Sequence, residues 1–219
     1  MEKMDSYLSL CTQFYDLIRP NAPEDAYNFY QSYVANACGL VLEPMCGTGR
    51  FLLPLLQEGF NVQGFDASSC MLEALQSKAV LQHLNPHVWQ SFAENLKTEK
   101  KYNLIFIPSG SFGHITELEK VKKTLRTFYD HLNNDGILLF EVESSKIVPS
   151  PLGIWRGTTH KREDGNMIIL SRLTTLENSV CYSIDKYELV QSSQIIQTEV
   201  EVFNVRLYDE PIILINMLK

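Results

Sequence analysis

The chain has 219 residues, 45% hydrophobic and 21% charged, which is enough for one substantial buried core. Its 19 lysines and arginines against 26 aspartates and glutamates give a net charge of -7, and no basic run exceeds Lys120 to Lys123, which argues against nucleic acid as a partner. Five cysteines without a C-x-x-C pair, no basic head on an apolar leader, and no stretch near the roughly 20 apolar residues that cross a bilayer point to a reduced, cytoplasmic protein without a membrane partner.

Residues 1–38 place Tyr7, Leu10, Phe14 and Leu17, then Tyr27, Tyr30 and Val34, at helical spacing, which predicts two helices that pack on a core and are broken at "RPNAPED". Over 39–145 short apolar runs alternate with longer helical patterns. The expected strands are "GLVLE", "NVQGFD", "HVWQSF", "YNLIFIPS" and "GILLFEVES", and the expected helices span 50–58, 68–81 and 116–132. In the last helix Thr116 and Glu119 have capping-box spacing, and "NNDG" at 133–136 is expected to turn the chain into the next strand. Alternating strands and helices require right-handed crossovers, so the fold class is α/β, a doubly wound, mainly parallel sheet. Past "SSKIVPSPLG" the composition changes. Residues 167–207 alternate with period two, so 146–219 is expected to hold a three-stranded antiparallel meander and a terminal helix opening near Pro211.

Ligands of open α/β sheets bind beyond the carboxyl ends of the strands, where the connections reverse. Strand one here ends at Glu43 and runs through Met45 and Cys46 into Gly47-Thr48-Gly49, then directly into a helix. Bare backbone permits a tight turn and close approach of a ligand, and the helix N-terminus offers unpaired N–H groups to an anion. Strand two ends at Asp66, where a carboxylate can accept both hydroxyls of a ribose. A dinucleotide site would want a third glycine where Leu52 stands, and Glu43 would repel a pyrophosphate while suiting a cationic amine. The balance favours S-adenosylmethionine over a nicotinamide cofactor.

The segments "LEPMCGTGRFLLPLLQEGFNVQGFDASSCMLEAL", "SFAENL", "YNLIFIPSGSFGHI" and "LNNDGILLFEV" resemble the class I, Rossmann-like S-adenosylmethionine-dependent methyltransferases, in particular the small bacterial type acting on small molecules; the likeness covers roughly residues 12–145. The resemblance implies that Glu43, Cys46, Gly47 and Gly49 line the methionine end, that Asp66 holds the ribose, and that Ala67 and Met71 flank the adenine. It further implies that Ala93 and Glu94 cover the far side of the adenine and that Ser109 borders the sulfonium. Two positions depart from the family pattern. Met45 stands where glycine is common, and Phe92 where aspartate often bonds the adenine amino group, a task left to Glu94, a backbone group or water.

Methyl transfer from a sulfonium is an in-line displacement, so the protein mainly aligns the acceptor, and a base is needed only when the acceptor arrives protonated. His114 is the first candidate base and Tyr15 the second; the plainer readings are a histidine bordering a helix and a tyrosine packed in the core. Glu141 and Glu143 share one face of strand five and read as solvated or paired. Trp155, Arg156 and His160 precede the meander, either lining an acceptor pocket or forming an exposed loop. Small size explains Cys46 better than nucleophilic chemistry. The expected function is methyl transfer to a small-molecule acceptor. The alternatives are a non-catalytic regulatory module that binds S-adenosylmethionine, or a NAD-dependent oxidoreductase. Such domains usually end in a helix and an antiparallel strand pair, and only the helix has room, so the chain reads as a truncated or reduced form. Its fifth strand would then expose an edge open to the meander or to a second subunit in a homodimer.

Overall fold

The computed structural model describes residues 6–209. Two helices lead, α1 (Ser9–Ile18) and α2 (Glu24–Asn36), separated at the expected break. The core then runs β1 (Val41–Pro44), α3 (Leu52–Gln57), β2 (Val62–Asp66), α4 (Ser69–Leu81), β3 (His87–Gln90), β4 (Tyr102–Ile107), α5 (Leu118–His131) and β5 (Leu132–Phe140). The five strands form a parallel sheet in the order β3-β2-β1-β4-β5, so the winding reverses between β1 and β4.

Strand alternation sorts the apolar side chains into two cores. Val41, Val62, Leu104, Phe106 and Leu139 face Tyr30 of α2, Leu52 and Leu55 of α3 and Leu75 of α4. Their neighbours Leu42, Phe65, Ile105, Ile107 and Leu138 face Val121 and Phe128 of α5. In α4 the Ser68 hydroxyl caps the helix by accepting from the Met71 amide at 3.2 Å, and Lys78 sits in the last turn, where a cation suits the dipole.

Two local expectations are corrected. The capping box does not form: α5 opens at Leu118 with Glu117 in the cap position and no side-chain cap bond. The Thr116 carbonyl instead accepts from Arg206 Nε at 2.7 Å, and Glu119 pairs with Lys122. The "NNDG" segment is not a free turn but part of β5. Tyr102 pairs with Leu132 and Leu104 with Ile137, so residues 133–136 are taken up as a bulge.

The C-terminal unit is a four-stranded antiparallel sheet, not a three-stranded one: β6 (Trp155–Lys161), β7 (Met167–Glu177), β8 (Val180–Gln191) and β9 (Gln194–Arg206). Trp155, Arg156 and His160 therefore lie on an edge strand rather than in a loop. The tight hairpins place Asn178 and Ser179, then Ser192 and Ser193, at positive φ, as two-residue turns matched to strand twist require. The inner face of this sheet buries Ile168, Leu170, Tyr187 and Leu189 against Leu10, Cys11 and Phe14 of α1. After β9 the chain returns toward the parallel sheet, where Leu207 bridges Glu143, three residues past the end of β5, and the Tyr208 amide donates to the Glu143 carbonyl at 2.7 Å. The terminal helix expected near Pro211 lies outside the described residues.

Candidate functional site

The loop leaving β1 takes left-handed backbone at Met45 (φ +57°), Gly47 (φ +54°) and Gly49 (φ +81°). The two glycines serve different ends. A Cβ on Gly49 would meet Leu53 and Leu75 side chains at 2.9 Å, so glycine there lets α3 and α4 pack against the loop. A Cβ on Gly47 would meet nothing within 4 Å, so glycine there leaves open space above the backbone. Met45 accepts the left-handed conformation without being glycine, and its side chain borders the same space.

Asp66 ties this loop to β2. Its Oδ2 accepts from the Gly47 amide at 2.8 Å and its Oδ1 from the Ser68 amide at 2.8 Å. Burial raises its pKa, and the amides of Ser68, Gly47 and Ala67 pull it back. With one amide on each oxygen, the carboxylate keeps accepting capacity toward the cleft it borders.

That cleft has an empty volume of about 990 Å³ including its open mouth. Of the residues expected at the site, Tyr15, Gly47, Asp66, Ala67, Met71, Ala93, Glu94 and His114 line it. Glu43, Cys46, Gly49 and Ser109 are not among the residues that line it. Cys46 is 4% exposed and belongs to the apolar core. Glu43 is 2% exposed at the tip of β1, and its Oε2 has no hydrogen-bond partner among the described residues. Burial drives its pKa well up, opposed by Arg50 and reinforced by Asp66. Ser109 accepts from Arg50 Nη2 at 2.7 Å, and the Arg50 guanidinium lies 5.4 Å from the Tyr15 ring centroid.

His114 is held from two sides. Because a carbonyl can only accept, the 3.0 Å contact to the Asn204 carbonyl makes Nδ1 the protonated nitrogen, and Nε2 accepts from the Tyr7 hydroxyl at 3.0 Å. Burial lowers its pKa, the bond to Asn204 raises it, and Arg172 lowers it further, so the neutral ring is favoured. Tyr7 is a cleft residue that sequence reasoning missed, as are Ser91, Thr116, Glu117 and Lys120. Tyr7 had entered only as one member of a helical spacing.

Outside the cleft lining, the Tyr30 hydroxyl donates to Glu141 at 2.6 Å, and Glu143 packs against Gly110. Burial, with help from Glu141, raises the Glu143 pKa. Trp155 is 53% exposed, Arg156 donates to the Pro151 carbonyl at 2.6 Å, and the His160 ring stacks edge-on against Phe14 at 5.2 Å; none of the three lines the cleft. Among the described residues, no cluster of three or more His, Cys, Asp or Glu side chains is placed to hold a metal ion, and no helix is long and apolar enough to cross a membrane.

The residues present suit a nucleoside with a zwitterionic tail: open backbone at Gly47, a buried carboxylate at the end of β2, and an unpartnered Glu43 oxygen at the end of β1. Residues 41–136 match the family model described as a methyltransferase domain. A protein of Geobacillus sp. (strain WCH70) named as a methyltransferase is 31% identical over 137 residues, 60% of this chain and 56% of its own length. YqeM of Bacillus subtilis (strain 168), also named as a methyltransferase, is 28% identical over 131 residues, 60% of this chain and 53% of its own length. The chain thus spans about half the length of the curated relatives it matches. Among solved structures, an S-adenosylmethionine-dependent methyltransferase from Clostridium acetobutylicum shares the fold with a TM-score of 0.73 at 21% identity, covering 90% of this chain and 80% of that one. The sugar N-methyltransferase KedS8 from Streptoalloteichus sp. does so with a TM-score of 0.74 at 15% identity, covering 95% and 83%.

Proposed function

We propose that this chain, whose residues 41–136 match the family model of a methyltransferase domain, is a class I, Rossmann-like enzyme that moves a methyl group from S-adenosylmethionine to a small-molecule acceptor. The observation that carries the reading is the meeting in one cleft of Gly47, with open space where a side chain would stand, and Asp66, a buried carboxylate bonded to that same glycine. Asp66 would accept from the ribose hydroxyls while keeping the loop closed through the Gly47 amide. Ala67 and Met71 would flank the adenine on one side and Ala93 and Glu94 on the other. Glu43, its Oε2 unpartnered, would answer the amino group of the tail, directly or through the loop. When bound, S-adenosylmethionine supplies a methyl group on a sulfonium, an electrophile that needs no further activation.

The chain's own residues are then left with alignment and proton handling. His114, fixed in one tautomer by the Asn204 carbonyl, keeps Nε2 as an acceptor facing the Tyr7 hydroxyl. An acceptor amine or hydroxyl entering between them could be oriented by Tyr7 and lose its proton to Nε2. Tyr15, beneath the Arg50 guanidinium, closes the side of the cleft. Amines head the list of acceptors to try, since relatives are named as glycine/sarcosine N-methyltransferases. The free cysteines suit a reduced, cytoplasmic setting. A homodimer through the C-terminal sheet is supported by the apolar row Trp155, Leu173, Ile184 and Val202 across its outer face. Calorimetric titration with S-adenosylhomocysteine, followed by transfer of labelled methyl to a panel of amino acids and amino sugars, tests the reading. No heat of binding at millimolar ligand would overturn it.

A further inference from the structure

The cleft is roofed by an N-terminal arm, residues 6–18, whose Tyr7 and Tyr15 line it. The arm lacks a cap of its own: Leu8 occupies the cap position of α1 and has no side-chain oxygen, so the first amides need acceptors from elsewhere. β9 supplies them. Glu201 accepts from the Tyr7 amide at 2.7 Å through Oε2 and from the Leu8 amide at 2.8 Å through Oε1, and Glu199 Oε2 accepts from the Leu10 amide at 2.7 Å.

Glu201 is 1% exposed, and its partner across the sheet is a second buried acid, Asp185, already committed to Arg172. A buried carboxylate in that position needs compensation, and the start of α1 provides both N–H donors and the favourable end of the helix dipole. The same bonds hold Tyr7 at φ +56°, a sparse conformation for an aromatic residue, while its carbonyl accepts from the Ser68 hydroxyl at 2.7 Å. With its backbone held this way, the Tyr7 hydroxyl meets His114 at 3.0 Å, and the other nitrogen of that ring is fixed by Asn204 on the same β9 strand.

We propose that Glu201, seconded by Glu199, is a positioning residue for the cofactor cleft: from the C-terminal sheet it latches the N-terminal arm so that Tyr7 and Tyr15 close over the bound nucleoside. The identity of that nucleoside rests on the methyl-transfer reading; the latch itself does not. The test uses the full chain as wild type, E201Q and the E199Q/E201Q double variant, with I196T, an exposed position on the same strand, as control. A glutamine offers one acceptor oxygen where the carboxylate offers two, so one amide loses its partner. Amide hydrogen exchange in the unliganded proteins is expected to accelerate roughly ten-fold at residues 7–12 in E201Q, the size of a lost cap, and further in the double variant. Exchange in β7 and β8 should match wild type. S-adenosylhomocysteine should dissociate faster from both variants and at the wild-type rate from I196T. Unchanged exchange at residues 7–12, or an acceleration spread evenly over the chain, would overturn the latch. A wild-type protein that fails to bind S-adenosylhomocysteine would instead overturn the methyl-transfer reading, and the exchange pattern would still decide the latch.

Discussion

Gly49→Ala and Gly47→Ala make the same chemical change two residues apart and are expected to fail in opposite ways. At Gly49 the backbone sits at φ +81°, and a new Cβ would lie 2.9 Å from the Cγ atoms of Leu53 and Leu75. Both leucines are buried, at 3% and 0% exposure, and a branch-point carbon cannot swing aside as a chain end could. Left-handed strain contributes about 1–2 kcal/mol and overpacking about 1–3 kcal/mol, so the loss of stability should total about 2–5 kcal/mol. At about 2–4 °C per kcal/mol for a chain of this size, thermal unfolding should fall by roughly 4–20 °C. At Gly47, with φ +54° and no atom within 4 Å, only the strain of about 1–2 kcal/mol applies, but the added methyl stands in the cleft. Urea unfolding reads the first effect and calorimetric titration with S-adenosylhomocysteine the second. Gly49→Ala should lose stability yet bind within about three-fold of wild type while folded, whereas Gly47→Ala should weaken binding at least about ten-fold. A fully stable Gly49→Ala, or a Gly47→Ala that binds as well as wild type, would refute the division of labour between the two glycines.

Three further outcomes follow from the same geometry. Met45→Gly relieves left-handed strain of about 1–2 kcal/mol but gives up a side chain packed against the second core, so urea unfolding should place it within about 1 kcal/mol of wild type. Arg172→Met leaves Asp185, 0% exposed and opposite Glu201, with only the Tyr187 hydroxyl at 3.3 Å; a loss of about 3 kcal/mol is expected in the same assay. His114 has its folded pKa pushed below the unfolded value near 6.5, so its contribution is complete above pH ~6.5 and drains away as the pH falls below that and the unfolded chain takes up the proton first. His114→Gln should therefore show a shallower fall in urea midpoint from pH ~6.5 downward than wild type.

The parallel sheet was legible because each of its strands serves two cores, so runs such as "YNLIFI" are apolar on both sides and stand out from their surroundings. β6 was not legible for the opposite reason. "WRGTTHK" is a largely exposed edge strand, with the His160 ring packed on Phe14 of α1, and its composition imitates a loop. The capping box at Thr116 satisfied a spacing rule but lost to a tertiary contact, since Arg206 claims the carbonyl that would have set the helix start. Within the site the same division holds. Gly47 and Asp66 are fixed by the local strand-loop-helix grammar and could be found from it. Tyr7 meets Glu201 at a separation of 194 residues, and no local pattern marks either partner.

The roof of the cleft joins two stretches that lie far apart along the chain. The five parallel strands can be complete once residue 140 has emerged, but Leu10, Cys11 and Phe14 of the arm then still lack β7 and β8, and the Tyr7 amide waits for an acceptor 194 positions downstream. Such distant pairings make folding slow, and a growing chain at this stage bears sticky, unclothed surface at its front end. A polypeptide interrupted before β9 would lack the carboxylates that hold the arm in place.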